Sequence, residues 1–150
     1  MDKLKKAIFI IAILAAIASP LYSQTAEKLE ILLNEPKIIW SDAAAFVLEA
    51  ADVYTGNQDD SFYFALEKNW LPKNVFPGDS VRLNGLALLL MQSFDIKGGI
   101  FYSISKSPHH AYRELVYKNI IRGAVDPDMP VSGQQLLLLI GRILSIKEQS

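Results

Sequence analysis

The chain has 150 residues, of which 51% are hydrophobic and 21% charged, with a formal net charge of −1 and no cysteine. That is enough apolar material for a packed core and excludes a disordered chain; the charge balance excludes nucleic acid as a partner, since phosphate binding needs a basic face. The lack of cysteine excludes disulfides, thiolate chemistry, Cys-based zinc sites and a lipid-modified amino-terminal cysteine.

Residues 1–23 read as a secretory signal peptide. Lys3, Lys5 and Lys6 precede an apolar run over residues 7–18, Ser19-Pro20 breaks it, and Ser23 offers a small residue at a cleavage point before Gln24. Twelve helical residues rise about 18 Å, short of the roughly 30 Å hydrocarbon core, so a spanning anchor is the weaker reading. Removal of Asp2 and the three lysines leaves a net charge of −3 on residues 24–150. An exported chain without disulfides is held by its core alone, which suits a bacterial periplasm or cell envelope. Contact with a membrane is expected only through the leader, if it stays uncleaved.

From Thr25 the pattern is helical. Leu29, Leu32 and Leu33 share a face, and Pro36 ends the segment. Ser41-Asp42 reads as an N-cap pair for a second helix, with Ala44, Val47, Leu48, Ala51 and Tyr54 on one stripe and Gly56 suited to a left-handed stop. Asp59-Asp60-Ser61 opens a third helix, with Phe62, Leu66, Asn69 and Trp70 at helical spacing; Pro72 stops it. A loop over residues 73–80 carries a Pro-Gly-Asp turn. Residues 83–96 follow, apolar nearly all round from Leu86 to Met91 and therefore expected at the centre, with Gly98-Gly99 as terminator. Residues 100–106 alternate weakly; they fit a linker or a lone strand, and a lone strand has no sheet to join. Ser107-Pro108 caps the next helix, which places Tyr112, Leu115, Val116, Asn119 and Ile120 together and ends at Gly123. After a loop holding Asp126, Pro127, Asp128 and Pro130, Ser132 caps a last helix with an apolar middle.

Residues 68–97 and 118–147 align without a gap. Ten of thirty positions are identical, among them Lys68/Lys118, Asn69/Asn119, Pro77/Pro127, Val81/Val131 and Leu86/Leu136; chance would give roughly two or three, so the pairing reads as an internal repeat. Residues 24–57 fit a degenerate first copy. The expectation is an all-α bundle of two to three helix–loop–helix units in one domain, residues 24–150, with copies over 24–57, 58–99 and 107–150. A unit of this kind cannot bury its apolar face alone, so the copies must pack together.

These units resemble the S-layer homology repeat, in which a helix, a turn, a loop ending in Phe-x-Pro and an Ile-Thr-Arg-Ala-Glu helix start follow one another. Ala111, Leu115, Lys118, Ile120, Ile121, Gly123, Pro127 and Val131 fit that pattern. So do Ala65, Leu66, Lys68, Trp70, Phe76, Pro77, Val81, Leu86 and Ala87 in the preceding copy. The resemblance implies a helical bundle of three pseudo-equivalent pairs and non-covalent binding of cell-wall glycan or peptidoglycan in grooves between copies. At the Thr-Arg-Ala-Glu segment, which carries the family's polar binding groups, this chain has Arg82-Leu83-Asn84-Gly85 and Ser132-Gly133-Gln134-Gln135, with no glutamate.

The candidate glycan-binding residues are Trp40, Trp70, Asp79, Arg82 and Asn84. An indole face stacks well on a sugar ring, although either tryptophan also suits a core. His109-His110 are adjacent and diverge on a helix, Asp126 and Asp128 suit turn formation, and Asp59-Asp60 suit a helix start. No phosphate-binding loop, dinucleotide fingerprint or nucleophile elbow is present, so no enzyme activity, metal or cofactor is expected. The expected partner is a cell-wall polymer or, in the alternative reading, an envelope protein bound through the same scaffold.

Overall fold

The structure, a computed structural model, describes residues 24–150; the leader expected over residues 1–23 lies outside the described residues. The chain divides into two units at Asn34/Glu35. In the first, the described residues form one helix, α1 (24–34), whose last turn is closed by the Asn34 side chain donating to the Glu30 carbonyl at 2.9 Å. The second carries α2 (Trp40–Ala50), α3 (Gln58–Glu67), α4 (Leu83–Ser93), α5 (Ile100–Ser105), α6 (Pro108–Tyr117) and α7 (Gly133–Glu148). Among the described residues the protein is all-helical, and no helix is long and apolar enough to cross a membrane.

The second unit is built around α4, whose apolar residues leave it no solvent face. Nine of its eleven residues are buried, Leu86, Ala87, Leu89 and Leu90 completely. It packs on α6 and α2, and α2 packs on α3 and α7. The most extensive pairings, α4 on α6 and α2 on α3, thus join helices that flank a linker rather than the two helices of one expected unit. The last helix differs from the sequence expectation of an all-round apolar middle. Leu138 is exposed, as are Leu144 and Ile146, so only one stripe of α7 (Leu136, Leu139, Ile140 and Ile143) enters the core.

The short extended segments before α2, α4 and α7 meet in a closed ring. The Ile38 N–H donates to the Val131 carbonyl at 2.9 Å, the Val131 N–H to the Val81 carbonyl at 3.0 Å, and the Val81 N–H to the Ile38 carbonyl at 3.0 Å. All three residues are fully buried, where an unpaired backbone group would be costly, and the ring satisfies each one's donor and acceptor. It also decides how the helices start. The Trp40 and Ser41 amides donate to the Asp79 and Pro77 carbonyls, the Leu83 and Asn84 amides to the Met129 and Pro127 carbonyls, and the Gly133 amide to the Glu35 carbonyl. Loop carbonyls from elsewhere in the ring thereby satisfy first-turn donors that normally need a side chain. This corrects the expected Ser41-Asp42 cap: α2 begins at Trp40 with Ile39 as an uncapped N-cap, Ser41 is buried, and Asp42 accepts from Gln58 of α3 instead. Burial raises the Asp42 carboxyl above its ordinary range against the opposing influence of that Gln58 bond. Side-chain caps hold elsewhere. Ser107 accepts from the His110 amide with Pro108 in the first turn, and Ser132 with Gln135 completes a capping box. For α3 the cap is Asn57, just ahead of the expected Asp59-Asp60 start.

The helix stops also depart from expectation. Left-handed backbone falls on Asp52, Asn69, Asp95 and Asn119, with φ of 55°, 58°, 50° and 60°, after α2, α3, α4 and α6, and not on Gly56 or Gly98-Gly99. Asn and Asp tolerate this region because their short polar side chains bond locally. Each stop closes alike: the amide after the left-handed residue donates to a carbonyl five residues back, Val53 to Leu48, Trp70 to Ala65, Ile96 to Met91 and Ile120 to Leu115. Residues 100–106, expected as a linker, contain the six-residue helix α5.

Candidate functional site

The loop after α6 and the start of α4 bring together a polar group that the sequence presents as two separate segments. The amide pairing of Leu83 with Met129 and of Asn84 with Pro127 fixes the two backbones side by side. On that frame the Asn84 side-chain amide donates to Asp128 Oδ1 at 3.1 Å, and Arg82 Nη1 stands 3.9 Å from the same oxygen. The Asn84 oxygen accepts from the Gly85 amide at 2.7 Å, and Asp126 accepts from the Asp128 amide at 2.8 Å. The Arg82 and Asp128 side chains are 67% and 63% exposed. At that exposure an ion pair contributes little to stability, so most donors of the guanidinium remain available to a ligand.

Of the five residues expected at a binding site, Arg82 and Asn84 are joined, through Asp128. Asp79 is placed in the adjoining loop, where its carboxylate accepts from the Phe76 amide at 2.8 Å and its own amide returns to the Phe76 carbonyl. Trp70 is half-buried, edge-on to Phe64 with ring centroids 6.0 Å apart, and Phe64 stacks on Tyr54 at 4.6 Å. Trp40 is corrected from candidate to core: it is 1% exposed, and its indole lies where a side chain on Gly85 would stand. A ring with no accessible face stacks on no sugar.

Two further features were not read from the sequence as sites. Asp128 suits turn formation by sequence, and its position opposite Asn84 depends on pairing across 44 residues. A cleft of about 510 Å³ is lined by Arg122, Arg142, Leu137, Leu138, Ser145 and Ile146, among others. Arg142 donates to the Ile120 carbonyl at 2.8 Å and Arg122 to the Asn119 carbonyl at 3.0 Å, which fixes both guanidinium groups on one turn. Neither belongs to an ion pair among the described residues. The only sequence signal for it is the pair of arginines flanking the last apolar run.

His110 is committed locally. Its Nδ1 lies 2.6 Å from Ser105 Oγ and 3.0 Å from Ser107 Oγ, and its ring stacks on Phe101. Among the described residues no group of three His, Asp or Glu side chains is placed to hold a metal ion. Compared with family models, curated proteins and solved structures, the chain matches none of them.

Proposed function

We propose that this is an exported, non-enzymatic cell-envelope protein built on S-layer-homology-like repeats, and that it binds cell-wall glycan or peptidoglycan at the Arg82–Asn84–Asp128 junction. The closed ring of Ile38, Val81 and Val131 supports the repeat reading, because three segments in equivalent places before α2, α4 and α7 exchange equivalent bonds. The polar junction carries the binding reading. It joins the start of the second copy's apolar helix to the loop of the third, where the resemblance puts inter-copy grooves, and its guanidinium, amide and carboxylate suit the hydroxyl and anionic groups of such a polymer.

Co-sedimentation of the chain with purified cell-wall sacculi tests this reading. The wild-type chain pellets with sacculi, and an Arg82→Ala/Asn84→Ala variant, altered at exposed or half-buried side chains, stays soluble. Equal pelleting of both, or none by the wild type, removes the junction as the binding site. The burial of Trp40, which withdraws one of two indoles from a glycan surface, favours the second reading, an envelope interaction or assembly subunit that binds protein through the same scaffold.

A further inference from the structure

The two linkers between packed helix pairs differ in length. Residues 51–57 join α2 to α3, and residues 94–107 join α4 to α6. Both begin at a helix end followed by a left-handed aspartate, Asp52 or Asp95, and both end at a side-chain N-cap, Asn57 or Ser107. Seven residues therefore suffice for the connection, and the other linker spends twice that. The surplus holds α5. Only Tyr102 of α5 is buried; Ile100, Phe101 and Ile104 are 77%, 75% and 80% exposed. At helical spacing these three fall within one arc of about 100°, opposite Tyr102.

The ridge is held firmly. Tyr102 accepts from Gln92 at 2.9 Å, the Gly99 amide donates to Glu114 at 2.9 Å, and Phe101 stacks on His110. The hydroxyls of Ser103 and Ser105 turn onto the carbonyls of Gly99 and Phe101, so the helix offers little but its apolar edge. The fold gains nothing from keeping three large apolar side chains in water, which points to an external contact. Their combined exposed area is on the order of 400 Å², about half of what one partner contributes to a stable protein interface. A second copy of the chain is thus a poor occupant, whereas a bilayer surface accepts single side chains without shape matching. Residues 94–114 carry Lys97, Lys106 and Arg113 against Asp95 and Glu114, a net charge of +1; Asp95 is paired with Lys97 and also feels Lys106, while Lys106, at the end of α5, and Arg113, on α6, are exposed and in no ion pair within 4 Å among the described residues.

We propose that α5 is a membrane-docking ridge that inserts Ile100, Phe101 and Ile104 into the headgroup–acyl boundary of an anionic bilayer, with Lys106 and Arg113 facing lipid phosphates. This is an interaction separate from polymer binding at Arg82 and Asn84, and it holds or fails independently of that reading.

The absence of cysteine makes a local readout simple. The full chain carrying Ile104→Cys is labelled with an environment-sensitive fluorophore and mixed with vesicles of equimolar phosphatidylglycerol and phosphatidylethanolamine, or of phosphatidylcholine alone. The expected result is a blue shift on the anionic vesicles, a weaker one on phosphatidylcholine, and none from a Leu138→Cys control on α7. Vesicle binding falls roughly tenfold or more in Ile100→Ser/Phe101→Ser/Ile104→Ser, and Lys106→Glu/Arg113→Glu loses the preference for anionic lipid. No shift at position 104 while the chain still floats with vesicles, equal binding to both lipids, or a dimer in solution that the triple serine variant abolishes would each overturn the proposal.

Discussion

Gly85 lies in the first turn of α4, where Ala is ordinarily the better helix residue by about 0.5–1 kcal/mol. Here the tertiary structure reverses that preference. A Cβ at this position would stand 2.7 Å from Pro72 Cγ and 2.9 Å from both Cη2 and Cζ2 of Trp40. Neither neighbour is the free end of a flexible chain: one is a proline ring, the other an indole that is 1% exposed. Relief requires moving a packed ring, and overpacking of this kind costs about 1–3 kcal/mol. After the helix preference is set against it, Gly85→Ala is expected to lose about 0.5–2 kcal/mol. Gly141 is the internal control, since it also lies within a helix but a Cβ there meets nothing within 4 Å. Gly141→Ala is expected to gain up to about 1 kcal/mol. Urea and thermal unfolding followed by circular dichroism separate the two, with a shift of about 4 °C in Tm for each kcal/mol. A third measurement identifies the cause. Trp40→Phe removes Cη2 and Cζ2, so in that background the cost of Gly85→Ala shrinks by about 1 kcal/mol or more. If Gly85→Ala melts at or above the wild type, or its cost is unchanged beside Phe at position 40, the close packing of the indole on α4 is wrong.

Burial pushes the Tyr102 phenol up to about 12, from an ordinary value of 10. The unfolded chain therefore loses this proton first; stability from Tyr102 is constant below about pH 10 and declines from there towards pH 12. A phenolate absorbance titration checks the value, and Tyr102→Phe removes that part of the alkaline slope. Ser132 makes both bonds of a capping box, so Ser132→Ala is expected to cost about 1 kcal/mol in urea unfolding, with Ser132→Asp largely retaining the cap. Asn119 holds φ of 60°; Asn119→Ala is expected to lose about 1 kcal/mol and Asn119→Gly to remain near the wild type. Leu86, fully buried in α4, is expected to lose about 2–5 kcal/mol on change to Ala.

Much of the architecture is legible in local chemistry. The uninterrupted apolar run of α4 leaves no face for water, which makes it central before any contact is known. Ser107-Pro108 and Ser132-x-x-Gln135 carry their own caps. Gapless similarity between residues 68–97 and 118–147 places Val81 and Val131 in matching positions. Where local chemistry is incomplete, the sequence pattern misleads. Six residues of α5 alternate too weakly to declare a helix, and what holds them is the long-range anchoring of Tyr102 to Gln92 and of Gly99 to Glu114. The start of α2 carries a plausible Ser-Asp cap, yet its amides are satisfied by Pro77 and Asp79, which no local pattern shows. Glycines suit helix stops because they adopt left-handed backbone freely, yet Asp52, Asn69, Asp95 and Asn119 take that role.

The sequence by itself determined the helical class, the caps on α6 and α7, the central place of α4 and the likeness of its two later segments, because each follows from side-chain type and spacing along a few turns of chain. Tertiary structure alone decided that Trp40 is a core group, that Ile38, Val81 and Val131 close a ring, and that Arg82, Asn84 and Asp128 share one surface. Those facts depend on backbone groups meeting across more than forty residues, and a backbone amide or carbonyl carries no residue-specific mark for the sequence to display.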